Sequence, residues 1–351
     1  MDNQLIYKWL KRHVPSRNRI NKYTNIFRET SKTKRIFLLD VPTNGNMGDQ
    51  AIVFATRLFL EKNFPDYSII EIPFNDVNDV LYLMKSYIGK DDLIIWNGGG
   101  NIGDIYKSSE FVRWATFNIF KDHTILIFPQ SLYFENNKFL NKSKNQYKKN
   151  DNVKLFTREQ SSFNFAKKSF SNVDIQMVPD IVFYLENKLP ESVFGQKREG
   201  VITLLRNDVE KSAHNLVPLY EALNGDIVDK SDTYVNDLVV SENNRKEFIF
   251  DKLLEVSRHK MVVTDRLHGM IFAYLTKTPA IVFENSNWKI KSTYNTWLQN
   301  VDYIQLIDGD NNNINDVSEI IQNLMQIVPG YGRVSTEFEP LLRTLRKLVD
   351  E

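Results

Sequence analysis

MVVTDRLHGMIFAYLTKTPAIVFENSNW, residues 261–288, is the stretch that decides the fold. MVVT is a β-branched run suited to a buried parallel strand. HGMIFAYLT carries Met270, Ile271, Ala273, Tyr274 and Leu275 densely enough for a packed helix, and AIVF reads as the next strand. Strand, basic turn, helix, strand puts Asp265, Arg266 and His268 where a strand ends and the free N–H groups of the next helix point outward. A phosphate or carboxylate would bind well there. The bland reading is that Arg266 pairs with a neighbouring carboxylate, Asp265 being the obvious one, and that His268 is a satisfied surface or core residue. Position favours function, because ligands of open α/β sheets lie outside the carboxyl ends of the strands.

Outward from this unit, the same rhythm runs in both directions. From residue 35, RIFLLDV, YSIIEI, DLIIW, TILIF, VKLF and DIQMV alternate with amphipathic helical stretches. A second series, from GVITLL at 200–205, includes a helix within SENNRKEFIFDKLLEVSRH, the opening unit, and helices near 288–298 and 315–327. Such alternation implies parallel sheets with helices on both faces. The polar segment ENKLPESVFGQKREG, 186–200, is the linker candidate. The fold expected is α/β, with two Rossmann-like domains facing across a cleft. The divisions are a basic N-terminal arm (1–34), an N-terminal domain (35–188), a C-terminal domain (189–335) and a C-terminal helix (336–351) able to pack back across the cleft.

Composition narrows the chemistry. With 351 residues, 42% apolar and 25% charged, the chain is a globular protein long enough for two domains. No apolar run approaches the roughly 20 residues that cross a bilayer, and no signal peptide is visible, so a cytoplasmic protein is expected. Zero cysteine excludes disulfides and thiolate chemistry. The histidines (His13, His123, His214, His259, His268) have no zinc-like spacing, so no metal site is expected. Net charge is +1, but residues 1–35 concentrate Lys8, Lys11, Arg12, Arg17, Arg19, Lys22, Arg28, Lys32, Lys34 and Arg35 against Asp2 and Glu29. With Leu5, Ile6, Trp9 and Leu10 this segment suits peripheral contact with an anionic membrane, or a solvated arm. No broad basic surface points to nucleic acid.

Two glycine-rich segments follow strands. PTNGNMGDQA, 42–51, offers Asn46, Gly48 and Asp49 as a ligand loop, with Asp49 placed as an N-cap; it is no Walker motif. WNGGGNIGD, 96–104, contains a literal GxGxxG, but the next strand ends in Phe128, Pro129 and Gln130 where a dinucleotide fold needs a ribose-binding acid. This second loop is better read as close backbone approach for a substrate at Gly99 and Gly100, with Asn101 and Asp104 as polar contacts. FPQS (128–131), TREQSS (157–162) and LLRND (204–208) are read as loops after strands. In TREQSS a structural reading is favoured, Thr157 capping a helix with Glu159 or Gln160 completing the local bonds. Arg206 is placed to meet Arg266 over one bound anion.

In this order, GNMGDQAI, NGGGNIGD, FPQS, TREQSS, VPD (178–180), LLR and above all TDRLHG (264–269) resemble the polysaccharide pyruvyl transferase family over roughly residues 35–300. The resemblance implies an architecture like that of GT-B glycosyltransferases. It also implies transfer of a pyruvyl group from phosphoenolpyruvate to sugar hydroxyls of a cell-surface or extracellular polysaccharide precursor, giving a ketal and phosphate. By motif match, Arg206, Arg266, Leu267, His268 and Gly269 become donor-binding, on the C-terminal domain. The acceptor side is then the N-terminal domain, with Asn46, Gly48, Asp49, Gly99, Gly100, Asn101, Asp104 and Gln130. His268, Arg266 and Asp49 are the catalytic candidates, His268 as acid and base. Phosphoenolpyruvate is a co-substrate and no cofactor is implied; the acceptor is a sugar or lipid-linked oligosaccharide, met in the cytoplasm or at the inner membrane face. Competing readings are a GT-B glycosyltransferase using a nucleotide sugar, and a non-catalytic anion-binding module of a polysaccharide assembly complex.

Overall fold

The computed structural model describes residues 15–195, 197–206, 219, 221, 223, 227–284, 288–307, 314–330 and 332–350. Asn207 and Asp208 of LLRND, and the apolar residues Leu5, Ile6, Trp9 and Leu10 of the arm, lie outside them.

The chain folds as helix α1 (Arg17–Glu29), then β1 (Lys34–Val41), α2 (Met47–Asn63), β2 (Tyr67–Pro73), α3 (Phe74–Tyr87), β3 (Leu93–Trp96) and β4 (Gly99–Gly103). α4 (Lys107–Ile119), β5 (Ile125–Tyr133), α5 (Asn137–Tyr147), β6 (Val153–Thr157), α6 (Gln160–Ser169) and β7 (Asp174–Met177) complete the first series. A buried 3₁₀ turn, Ile181–Leu185, leads to the second: β8 (Val201–Leu204), β9 (Val228–Ser231), α7 (Arg245–Ser257), β10 (Met261–Thr264), α8 (Leu267–Thr276) and β11 (Ala280–Phe283). α9 (Lys289–Thr293) continues as a π-helical turn, Tyr294–Leu298, before β12 (Ile304–Ile307), α10 (Ile314–Gln326) and α11 (Glu339–Asp350).

Both sheets are parallel. The first runs β2-β1-β3-β5-β6-β7, with β4 beside the second half of β5; the second runs β12-β11-β10-β8-β9. In each, the chain leaves its first strand to one side and returns on the other, so strand order reverses between β1 and β3 and again between β8 and β10. Crevices at such reversals are where α/β sheets bind ligands.

Two segments read as loops are strand. FPQS lies inside β5, and GGNIG (99–103) is β4, with Gly99, Ile102 and Gly103 paired to Gln130, Leu132 and Tyr133. Gly99 (φ 146°) and Gly103 (φ 145°) adopt a backbone open to glycine, so the strand ending at Trp96 steps sideways and resumes instead of turning back.

The alternation along the strands explains how the halves join. Phe37, Leu39, Ile94 and Trp96 face an outer core with α1, α3 and α4, whereas Ile36, Leu38 and Ile95 face inward. Val201, Met261 and Val263 face the second sheet's outer core, and Ile202, Leu204 and Val262 face inward. Both inward sets belong to one hydrophobic cluster, filled by α2, the 3₁₀ turn, α7 and α8. The C-terminal helix packs on the first half: Phe338 lies against Phe59 and Tyr184, and Gln176 donates to Thr344 at 3.1 Å. Helix α1 buries Tyr23 and Phe27, and Arg19 pairs with Asp76 and Asp79, so this part of the basic segment is packed structure, not a solvated arm. No helix among the described residues is long and apolar enough to cross a membrane.

Candidate active site

The reversal points of the two sheets face each other across a cavity of about 410 Å³, within the roughly 300–1,000 Å³ of small-molecule sites. Loop 43–47 is sewn across to the second half by backbone bonds Met47 N–H to Thr233 O (2.7 Å), Val235 N–H to Gly45 O (2.9 Å) and Val240 N–H to Thr43 O (2.9 Å). A Cβ on Gly45 would stand 2.0 Å from Val235 O, so this approach requires glycine.

From the second half come Arg206, Arg266, Leu267 and His268, all lining the cavity. Their placement is local. Thr264 Oγ1 donates to Leu204 O (2.8 Å) and accepts from Arg266 N–H (2.9 Å), turning the chain at the end of β10 so that α8 starts with its N-terminus at the cavity. Asp265 accepts the backbone N–H of Arg206 (2.7 Å), tying the ends of β8 and β10 together. The guanidinium of Arg266 pairs with Asp232 at 2.6 Å. The partner suspected from sequence, Asp265, therefore holds Arg206's backbone while Asp232 takes Arg266. Gly269 lies behind: a Cβ there would meet Thr264 Oγ1 at 2.3 Å, which makes it a packing residue of the turn instead of a cavity residue.

From the first half, Asn46, Asp49, Gly99, Gly100 and Asn101 line the same cavity. The cap of α2 is Asn46, which accepts from Gly48 and Asp49 N–H (3.1 and 3.4 Å); Asp49, expected to cap, sits inside the first turn. Gly48 lies under His268, where a Cβ would come within 2.1 Å of Nδ1. Gln130 is buried beneath the cavity, accepting from Asn101 N–H (3.2 Å) and donating to Asn97 O (2.9 Å). Asp104 points elsewhere, bracing the N–H groups of Glu135 and Asn136. Gln130 thus supports the first-half wall of the cavity from behind, and Asp104 is separate from it.

The cavity also holds residues passed over in sequence. Arg158, in a segment read as a helix start, is 3% exposed and lines it, as does Lys289. A Cβ on Gly100 would stand 3.0 Å from Arg158 Nη2 and 3.2 Å from Lys289 Nζ, so both cations hang over that glycine. Arg158 donates to Ser131 Oγ (2.7 Å) and Asp180 (2.6 Å). Asp180, from VPD, also faces His268 Nε2 at 3.6 Å, a contact that becomes ionic when the imidazole is protonated. Burial opposes ionisation of Asp180, but Arg158 and His268 outweigh it and hold the carboxyl well below its ordinary value. Asp49 is pushed up by burial, against the opposing fields of His268 and Arg158.

Asp40, next to last in β1 and in a left-handed conformation (φ 66°), accepts from Asn101 Nδ2 at 2.7 Å through its carboxylate. Asn101 in turn accepts from Arg113 (2.6 Å), whose guanidinium pairs with buried Glu110. Burial pushes the Asp40 carboxyl up to about 6 despite Arg113 and Asn101. Its strand-end position was the available signal.

The family described as polysaccharide pyruvyl transferase matches residues 46–287, which span both halves of this cavity. The chain belongs to the polysaccharide pyruvyl transferase family, and it is a transferase. General stress protein 30 of Bacillus subtilis strain 168 is 32% identical over 317 residues, 88% of this chain and 90% of the relative. Pyruvyl transferase 1 of Schizosaccharomyces pombe is 30% identical over 286 residues, 76% of this chain and 70% of the relative. Among solved structures, UDP-GlcNAc 2-epimerase from Methanocaldococcus jannaschii superposes with a TM-score of 0.52 at 12% identity, covering 90% of this chain and 99% of that one. At that identity the likeness speaks to fold alone, two Rossmann-like domains of GT-B type. In this pyruvyl transferase family member the RLHG turn of the C-terminal half closes on the glycine-rich elements of the N-terminal half.

Proposed function

We propose that the enzyme transfers the pyruvyl group of phosphoenolpyruvate to two hydroxyls of a sugar in a cell-surface or extracellular polysaccharide precursor, forming a ketal and releasing phosphate. The observation that carries this is the gathering of Arg158, Arg206, Arg266, Lys289 and the α8 N-terminus around one cavity with His268. Phosphoenolpyruvate presents a carboxylate and a phosphate on a three-carbon frame, which suits several fixed cations better than one.

His268 delivers a proton to the methylene carbon, whose π electrons form the new C–H bond and leave an oxocarbenium-like centre at C2. A sugar hydroxyl adds to C2 and gives its proton to Asp40, at the carboxyl end of β1 on the acceptor wall. Phosphate departs with the C2–O electron pair and takes up the proton held by Asp40, leaving as hydrogen phosphate, and a second hydroxyl closes the ketal, its proton returning to His268. C2 rises by one in formal oxidation state as C3 falls by one, so the net change is zero and the steps call for no redox cofactor. Asp180 orients the imidazole. Asp49, under the same ring, helps position the acceptor. We read the setting as cytoplasmic, with a sugar or lipid-linked oligosaccharide as acceptor.

Incubation with phosphoenolpyruvate and a panel of model and lipid-linked glycosides tests the proposal. The expected result is a pyruvyl adduct by mass spectrometry with one phosphate released per adduct. Stabilisation by nucleotide sugars but not by phosphoenolpyruvate in thermal unfolding would replace this reading with glycosyl transfer.

A further inference from the structure

A second concavity, of about 600 Å³, lies on the flank of the cavity between α6 of the first half and α9 with its π-helical turn. Trp288 and Trp297 line it, together with Gln160, Ser161 and Asn295. Two links tie its walls to the active site. Trp288 precedes Lys289, whose ammonium hangs over Gly100, and Trp297 donates its indole N–H to the backbone carbonyl of Arg158 at 2.8 Å.

Trp288 is built for contact. Its side chain is 45% exposed, unusual for tryptophan, and its backbone is left-handed (φ 48°), a conformation that costs a bulky residue energy. The ring is steadied from one side by Tyr133, at the end of β5, with centroids 5.0 Å apart. The indole N–H of Trp297 is committed to Arg158, so that ring is fixed in orientation. Fixed aromatic faces with amide and hydroxyl groups at their rims match a neutral hexose, whose axial C–H face lies on an aromatic ring while its hydroxyls bond sideways. Lys291 is the charged lining residue, so a polyanion is poorly matched.

We propose that this groove is a glycan subsite, holding a further neutral sugar of an oligosaccharide acceptor whose reacting sugar sits in the main cavity. The inference rests on the pyruvyl-transfer reading for its kinetic consequence but not for binding, and two measurements separate them. The first is intrinsic tryptophan fluorescence without phosphoenolpyruvate, titrated with trisaccharides of glucose, galactose and mannose and with the matching methyl glycosides. At least one trisaccharide is expected to bind about tenfold more tightly than its methyl glycoside, and Trp288→Ala to remove that advantage while Trp288→Phe retains most of it. The second is transfer kinetics: Trp288→Ala should lower kcat/KM about tenfold for the trisaccharide and leave turnover of the methyl glycoside unchanged. Equal binding of long and short sugars, or equal loss for both acceptors in the variant, would overturn the subsite. Trisaccharide binding that depends on Trp288, without any pyruvyl adduct, would instead preserve the subsite and remove the proposed reaction.

Discussion

Asp40 and His268 stand on opposite walls of one cavity, and their environments assign them different tasks. Burial raises the Asp40 carboxyl from 3.8 to about 6, so folding disfavours its ionised form. The sign follows: stability contributed by Asp40 falls as pH rises from 3.8 towards 6, while the fraction able to accept a hydroxyl proton grows through the same window. Transfer rate should therefore climb with an apparent pKa of about 6. Asp40→Asn should remove that acid limb and lower kcat by about 10²–10⁴-fold, with phosphoenolpyruvate affinity kept; an unchanged pH profile would exclude Asp40 as base. His268→Ala should abolish transfer with the circular dichroism spectrum intact, and near-normal turnover would remove His268 from the mechanism. Gly48→Ala is subtler: its methyl would fall 2.1 Å from the His268 ring, so kcat should drop while donor binding survives in calorimetry. Arg206, Arg266 and His268 were legible because each stands within four residues of the end of a recognisable strand, in the LLR and RLHG motifs. Arg158 and Lys289 were not, since TREQSS reads by preference as a helix start and nothing local to Lys289 says that it will lie over Gly100. Asp40 was hidden in the apolar run RIFLLDV.

At the scale of elements, β-branched runs and amphipathic periods were enough to place most strands and helices, because those bury a face and show the matching period; β4, β9, β12 and helix α1 escape that reading, and β9 (VDKS) has no buried face to report. Glycine runs misled, since the residues that make a turn also let a strand step aside, and only pairing with β5 tells GGNIG apart. The bonds that hold elements of the two halves in place were invisible for a similar reason. Arg245 of α7, 3% exposed, reaches across to Glu71 of β2 with two bonds of 2.8 Å and to Gln50 of α2 at 2.9 Å, a separation in sequence no local pattern spans. Breaking a buried pair leaves a desolvated charge behind. Arg57 remains against Glu71 at 3.1 Å, so Arg245→Ala should cost about 3 kcal/mol, the low end for such pairs. Lys154→Ala, which breaks an exposed pair with Asp174, should stay within about 1 kcal/mol. Urea midpoints of the two variants check both, and equal losses would mean that Arg245 is no latch.

For the whole molecule, the polar segment 186–200 reads as a linker between two domains facing across a cleft, and the inward faces of both sheets share one hydrophobic cluster. Sequence periodicity reports that a strand has a buried face; it does not report which other element covers it. The two flanks are closed as well. On one side Arg245 meets Glu71, and on the other the N-terminus of α6 is capped by the second half, Gln160 N–H on Thr296 Oγ1 (3.2 Å) and Ser161 N–H on Ser292 Oγ (3.0 Å). Halves joined through a common core and two flanks should lose their structure together. Thermal unfolding should therefore show one transition, coincident by far-ultraviolet circular dichroism and tryptophan fluorescence, although chains of this length often unfold domain by domain. Because the proposed donor would touch both the α8 turn and the cations over Gly100, phosphoenolpyruvate at about 100 times its Kd should stabilise that single transition by about 2.7 kcal/mol. Arg206→Ala and Arg158→Ala, one from each half, should each weaken the shift. If the two probes melted apart, and the ligand moved only one of the transitions, the donor would be held by one half alone and the shared cavity would not be its site.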